Sequence, residues 1–235
     1  MRLAALVYDF PHKKSQEGLF ELCLKGFKPS LVIGAPKVKL KFYQSKERIA
    51  PRGLSYGVTE DVCRCLDLPY VVSDHNSGPC RRLLEDWGVD LAVILGARII
   101  RQPTIDACRI GIMNMHPGIL PRNRGLDNLK WSILENLPIG VTTHLIDAQI
   151  DRGRLLGREE VPVYLDDTIR DVFLRQQATE LKEMLRAISR IKQHPSCVYK
   201  LPKLPAGTYY GAVPQLFESG LAKAWERYKH EHGQP

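Results

Sequence analysis

The chain has 235 residues, 44% of them apolar, and a formal charge of +8. That is enough apolar material for a sizeable core and suits one α/β domain with a small appendage. No apolar stretch reaches the length of a membrane span, which excludes a membrane-crossing helix, and the positive balance invites an anionic partner without choosing between a nucleotide diphosphate, RNA and plain solvent.

Leu3 to Tyr8 is a short apolar run stopped by Asp9-Phe10-Pro11, and it reads as a buried first strand. Asp9 also interrupts what would otherwise open like a signal peptide. Ser15 is expected to cap a helix through Leu19, Phe20, Leu22, Cys23 and Leu24, with Gly26 as its stop. Ser30 to Ile33 then forms a second strand, and the order strand, helix, strand predicts a right-handed parallel unit. In 37–57, Lys37, Lys39 and Lys41 alternate with Val38, Leu40 and Phe42, which fits either an edge strand or a basic flap over a site. Thr59 is expected to cap a helix carrying Val62, Cys63 and Leu66. Tyr70-Val71-Val72 is the third strand, followed by Ser73-Asp74-His75-Asn76. Ser77 caps the next helix, through Leu83, Leu84 and Trp87, with Gly88 as its stop. Asp90 to Ile94 is nearly all apolar and predicts a central strand.

Gly96-Ala97-Arg98-Ile99-Ile100 closes that strand. A glycine permits close backbone approach, and the carboxyl ends of parallel strands hold ligands, although a plain strand end reads equally from the residues. Pro103 to Cys108 suggests a helical turn, and Ile110 to Met115 a fifth strand that carries Asn114 and leads to His116. Two residues apart on an extended segment, these side chains leave the same face. Leu120 to Gly125 reads as a tight loop. Leu126 to Glu135 reads as a helix, with Leu129, Ile133 and Leu134 inward and Trp131 suited more to packing than to ligand stacking. Gly140 to Ile146 alternates as a strand, Val141, Thr143 and Leu145 opposing Thr142 and His144. Arg154 to Leu156 and Glu160 to Tyr164 suggest further strand material. Asp166-Asp167-Thr168 starts a long helix with Ile169, Val172, Phe173, Leu181, Met184, Leu185 and Ile188 on its apolar side. From His194 onward Pro195, Pro202, Pro205 and Gly207 break the chain, before Tyr209-Tyr210-Gly211 and an amphipathic helix around Leu221 to Tyr228. The expected division is a main domain over 1–192 and an extension over 193–235 that wraps it or pairs subunits.

An amide donor at Asn114, a proton carrier at His116 and a carboxylate at Asp151 suit acyl transfer through an oxyanion. The Asn-x-His pair alone is weak, and a structural histidine is the plain alternative. Six cysteines occur, at 23, 63, 65, 80, 108 and 197, with no C-x-x-C pair. They read as small core residues of a reduced, cytoplasmic chain. Cys108 and the histidines lack the close spacing of a structural zinc site, so no metal is expected. No phosphate-binding glycine loop of either common kind appears.

Three pieces in order are more specific: Asn114-x-His116-Pro117-Gly118-x-Leu120-Pro121-x-x-Arg124-Gly125, then Gly140-Val141-Thr142-x-His144, then Ile150-Asp151-x-Gly153. Together they resemble the folate-dependent formyltransferase family, over roughly 1–185 in layout and sharply over 91–156. The resemblance implies a Rossmann-type α/β fold, a mostly parallel sheet with helices on both faces. It implies transfer of a formyl group from N10-formyltetrahydrofolate to a primary amine, with Asn114, His116 and Asp151 catalytic. It puts the folate against Gly96, Ala97, Arg98 and Ile99, with His144 and Ile150, and the acceptor near Asp9, Asp74, His75, Asn76, Gly118, Arg124 and Trp131. Gly118 departs from the serine that members commonly carry, and Leu126-Asp127-Asn128 stands where many place a proline. Both bear on the acceptor. The tail is too short for the oligonucleotide-binding barrel of methionyl-tRNA formyltransferases, so a nucleotide-linked amino sugar is the expected acceptor, with a homodimer allowed and no membrane partner. Glycinamide ribonucleotide is the alternative acceptor. A formyltetrahydrofolate hydrolase and a non-catalytic basic domain binding nucleic acid through 37–52 are the other readings.

Overall fold

A computed structural model describes residues 1–39, 49–51 and 53–235. The strand or flap expected over 37–57 falls largely on 40–48 and 52, outside the described residues. The alternation of Leu3–Tyr8 (β1) works as expected: Ala4 and Leu6 enter one core, and Leu3, Ala5 and Val7 the other. Beside β1 lie Leu31–Ala35 (β2) and then Tyr70–Val72 (β3) on one side, with Leu91–Ile94 (β4) and Gly111–His116 (β5) on the other, all parallel. Arg124–Gly125 (β6) stands apart from this sheet. Gly140–Leu145 (β7) adds to β5 antiparallel, and Arg154–Glu160 (β8) adds to β7 antiparallel. The result is a seven-stranded sheet in the order β3-β2-β1-β4-β5-β7-β8. β2, β1 and β4, covered on both faces, are apolar almost throughout, whereas β5 carries Asn114 and His116.

Helices cover both faces. Lys13–Leu24 (α1), Thr59–Cys65 (α2) and the long Ile169–Gln193 (α6) bury Leu19, Val62, Met184 and Ile188 against Ala5, Val7, Met113 and Met115. On the other face, Gly78–Asp86 (α3) and Gln102–Ile105 (α4) bury Cys80, Leu84 and Ile105 against Leu6, Ile33 and Ile112. Asn128–Leu134 (α5) belongs to a third cluster, in which Leu129, Ile133, Val161 and Val163 meet Trp225 and Tyr228 of the tail helix Leu221–His232. The segment after His194 therefore packs against the rest of the chain.

Two caps differ from expectation. His12, not Ser15, caps α1: its Nδ1 accepts the Ser15 N–H at 3.3 Å, and Ser15 lies inside the first turn. Thr59 lies inside α2, and its hydroxyl donates to the Tyr8 carbonyl at 2.7 Å, tying the helix to the end of β1. Ser77 and Thr168 cap as expected, Thr168 in a reciprocal pair with Asp171. The 154–164 stretch is one strand, ending at Glu160. All six cysteines are unpaired, and Cys65 is exposed rather than in a core.

Candidate active site

β5 sorts its side chains by parity. Met113 and Met115 enter the core beneath α6, which sends Asn114 and His116 to the opposite face. β7 runs antiparallel beside it and sets His144 opposite Asn114 and Thr142 opposite His116. His144 Nδ1 lies 2.9 Å from the Arg152 carbonyl. A carbonyl only accepts, so Nδ1 carries the hydrogen and Nε2 is left bare. That bare nitrogen stands 3.4 Å from Asn114 Nδ2 and fixes the amide with its NH2 group toward His144. His144 is fully buried, and burial, reinforced by the neighbouring His116, lowers its pKa to about 4.

His116 is 3% exposed and held at both ring nitrogens. Nδ1 is 3.2 Å from Asp151 Oδ1, and Nε2 is 2.7 Å from the Asn123 carbonyl. Both of these partners are hydrogen-bond acceptors. Asp151 Oδ2 accepts the Gly125 N–H at 2.7 Å. Burial pushes the Asp151 carboxyl up, but hydrogen bonds from His116 and Gly125, with the His116 charge, outweigh it and hold the group below the usual carboxylate range. Asp151 adopts φ +49°, a left-handed conformation that aspartate tolerates better than most residues. The loop after His116 has its own supports: Thr142 Oγ1 donates to the Gly118 carbonyl at 2.7 Å, and Gln176 of α6 donates to the Pro117 carbonyl at 3.1 Å.

Asn114 and Asp151 open on a cavity of about 940 Å³, near the upper end for small-molecule sites. Ala97, Arg98, Ile99 and Ile150 line it, as the sequence suggested for one ligand. Gly96 does not line it: a Cβ there would stand 2.8 Å from Ser15 Oγ and from Tyr8 Cδ2, so this glycine admits the β1–α1 turn rather than a ligand. Asn76 lines the cavity and braces it, donating to the Ile99 carbonyl at 2.9 Å and accepting the Arg101 N–H at 2.7 Å.

The other suggested acceptor residues have different partners. The Asp9 carboxylate takes the Tyr70 hydroxyl, and Asp74 accepts the Asn76 N–H at 2.8 Å. His75 is 3% exposed, with Nε2 3.0 Å from the Ile33 carbonyl. Arg124 donates to the carbonyls of Ile150 and Gly207, and Trp131 Nε1 to that of Gly211 at 2.8 Å. Gly118 lies against the imidazole, where a Cβ would be 3.0 Å from His116 Nε2. Sequence reasoning missed Asn123, whose carbonyl meets His116. It also missed Tyr209 and Ala212, which line the cavity from the tail, while Leu126, whose segment the sequence linked to the acceptor, lines it as well. No spacing signals a carbonyl contact, and Tyr209 and Ala212 lie in a proline-broken stretch without periodicity. Among the described residues, no group of three or more His, Cys, Asp or Glu side chains is arranged to hold a metal ion.

A mostly parallel sheet flanked by helices, with Asn114 and His116 at the carboxyl end of β5, is a Rossmann-like α/β architecture. Residues 73–188 match the family model described as formyl transferase, and this segment belongs to the formyltransferase superfamily. Methionyl-tRNA formyltransferase of Koribacter versatilis (strain Ellin345) is 29% identical over 144 residues, which span 60% of this chain and 46% of the relative. That of Azobacteroides pseudotrichonymphae is 32% identical over 81 residues, or 34% of this chain and 25% of the relative. The chain thus spans less than half the length of these relatives. Among solved structures, glycinamide ribonucleotide transformylase 1 from Symbiobacterium toebii has a TM-score of 0.60 at 22% identity, covering 80% of this chain and 86% of its own. The N-formyltransferase from Helicobacter canadensis, solved with folinic acid and dTDP-3-aminofucose, has a TM-score of 0.61 at 18% identity, covering 90% and 71%. These likenesses establish the fold, and the superfamily implies a folate-type cofactor.

Proposed function

We propose that this chain transfers a formyl group from N10-formyltetrahydrofolate to the primary amine of a nucleotide-linked amino sugar. The observation that carries the reading is the pair of linked contacts Asn114–His144 and Asp151–His116, of which Asn114 and Asp151 line one cavity and the two histidines stand behind them. The acceptor nitrogen attacks the formyl carbon, a carbon–nitrogen bond forms, the bond to folate N10 breaks, and the amine's proton ends on N10. With one Asn114 N–H directed at His144, the second is free to donate to the developing oxyanion. His116 lies on the same face of β5 as Asn114, with Nδ1 toward Asp151 and Nε2 toward the Asn123 carbonyl, and its role in this reading is to relay the amine's proton toward N10. His144, neutral with its bare Nε2 beside Asn114, orients the amide rather than competing for the negative charge.

The donor fits the inner cavity, where the Ala97–Ile100 backbone and Ile150 offer apolar walls with main-chain groups for a pteridine. Arg98 and Arg101 at the rim supply positive charge suited to a nucleotide diphosphate. The glycinamide ribonucleotide alternative is disfavoured at the β1–α1 turn. His12 already occupies a helix N–H that a phosphate would use, and Asp9 stands beside it.

The test is incubation of the chain with N10-formyltetrahydrofolate and a panel of nucleotide-linked amino sugars and glycinamide ribonucleotide, followed by product masses. A formylated nucleotide sugar is expected. Formate release without any formylated product would replace the transferase reading with a hydrolase, and a product only from glycinamide ribonucleotide would reject the acceptor class.

A further inference from the structure

The tail does more than cover a hydrophobic face. Residues 203–213 run as a strap between the two loops that hold the Asp151–His116 pair. At one end, the Leu204 N–H donates to the Gly153 carbonyl at 2.8 Å, two residues beyond Asp151. Farther on, Tyr209–Tyr210 (β9) pairs parallel with β6. The Arg124 N–H donates to the Thr208 carbonyl at 3.1 Å, and the Leu126 N–H to the Tyr210 carbonyl at 3.0 Å. Gly125 lies between those two anchors, and its N–H is the one that meets Asp151. The Arg124 guanidinium closes the triangle. Its Nε donates to the Ile150 carbonyl at 3.2 Å, and its Nη1 to the Gly207 carbonyl at 3.3 Å. One side chain thus ties together the Asp151 loop, the Gly125 loop and the strap.

We propose that residues 203–213 are a positioning element of the active site, with Arg124 as its clasp, holding the Gly125 N–H against Asp151 and thereby fixing the orientation of His116. The strap itself touches neither ring nor carboxylate, so it acts through Gly125 and Arg124. The strap also contributes Tyr209 to the cavity wall, so its displacement changes the outer cavity as well.

Gly207 is the natural place to lift the strap. A Cβ there would stand 1.9 Å from the Pro121 carbonyl oxygen and 2.6 Å from its carbon, both backbone atoms that cannot rotate away. Gly207→Ala must therefore raise the strap from the loop that carries Asn123 and Gly125. Arg124→Gln removes the clasp without that steric push. Gly220→Ala is the control in the same tail, since a Cβ at 220 meets nothing nearer than the Phe217 carbonyl oxygen at 3.6 Å.

The titratable side chains facing Asp151 are His116 from β5 and His144 from β7. The experiment follows the Asp151 carboxyl by carbon-13 NMR in aspartate-labelled protein, assigned with Asp151→Asn. Melting and binding of 5-formyltetrahydrofolate are recorded on the same samples. Gly207→Ala and Arg124→Gln are both expected to move the Asp151 midpoint upward, because the carboxylate loses a donor, while Gly220→Ala leaves it in place. Single-turnover transfer should fall by about 10-fold to 10²-fold in both, the scale of a small misplacement, with donor affinity changed far less. An unmoved Asp151 midpoint in both variants would overturn the proposal, even if they melt earlier. If Gly207→Ala does not fold, Arg124→Lys, which keeps the positive charge but loses the guanidinium fork, decides in its place, an unmoved Asp151 midpoint again overturning the proposal. Failure of both to fold counts against the proposal, because the strap would then be a folding element. The inference rests on the formyl-transfer reading, but the titration needs neither donor nor acceptor. A moved midpoint in a chain that makes no product rejects that reading and leaves the strap's role standing.

Discussion

In the proposed reaction Asn114, as oxyanion donor, and His116 and Asp151 all serve one step, and the contacts around them say which losses would be chemical. Asn114→Ala removes the oxyanion donor without changing charge, and His116→Ala removes the ring that Asp151 and Asn123 hold. Asp151→Ala leaves His116 without its carboxylate. Each should lower single-turnover transfer by at least about 10²-fold, the scale found when a preorganised donor is deleted. The three losses together should cost much less than their product, because the groups serve one step. A purely structural role would instead lower melting temperature and folate affinity in step with activity. The loop after His116 has independent supports in Thr142 and Gln176, so the variants should remain folded. Near-normal turnover in Asn114→Ala or His116→Ala would reject the chemistry. Gly118 makes a second prediction at this scale. A Cβ there would lie 2.9 Å from the Asn123 carbonyl oxygen and 3.0 Å from His116 Nε2, so Gly118→Ala must disturb that hydrogen bond. We expect slower transfer with nearly unchanged 5-formyltetrahydrofolate affinity. Unchanged turnover would mean that the His116–Asn123 contact is dispensable.

At the scale of elements, α6 shows how a cap can be separated from the site. Thr168 and Asp171 exchange hydrogen bonds at its start, more than four turns before Met184 and Ile188, which the helix buries against the sheet. Thr168→Ala should cost about 1 kcal/mol of unfolding free energy. Thermal or urea melts should show the loss with turnover preserved. No loss of stability would mean that the capping pair is solvent-compensated. The same element was legible in the sequence because its cap, its period and its length agree. β5 was legible too, since parity on an extended segment put Asn114 and His116 on one face before any contact was known. The β1–α1 and α2 starts were read less well. Ser15 and Thr59 are good cap types, but each was drawn into a tertiary hydrogen bond, Ser15 toward the Leu95 carbonyl at 3.3 Å and Thr59 toward Tyr8. Residue type reports local preference only, and a carbonyl brought from a distant strand competes with it. Arg124 and Trp131, which the resemblance puts near the acceptor, also donate to carbonyls of the tail strap. Nothing periodic marks the strap whose carbonyls occupy them.

The whole molecule keeps several histidines neutral by enclosing them, and this gives its stability a direction in pH. Burial first, then Lys14 and Arg98, lowers the pKa of His12 to about 4. Burial likewise lowers His75, and burial with the nearby His116 lowers His144 to about 4. Unfolded, each returns to the ordinary value near 6.5. Between about pH 6.5 and 4 the unfolded chain therefore binds protons that the native chain refuses, and the free energy of unfolding falls as pH falls. The Asp151 shift works in the same sense at lower pH. Its native carboxyl lies below the unfolded value, so its contribution is present above the unfolded pKa and is lost as pH drops through the native one. A chain of formal charge +8 also gains self-repulsion as carboxylates protonate, so an acid-induced fall in melting temperature does not by itself identify the histidines. His12→Asn separates the causes. Asparagine is a strong cap residue, so it can still accept the Ser15 N–H that His12 accepts at 3.3 Å, while removing the titrating ring. The variant should match the parent near about pH 8 and lose less stability on acidification, by up to about 3 kcal/mol over the window below pH 6.5. Denaturant melts of parent and variant at a series of pH values measure this directly. Parallel curves across the window would show that His12 is no less readily protonated in the folded chain than in the unfolded one, and would remove it from the account of acid lability.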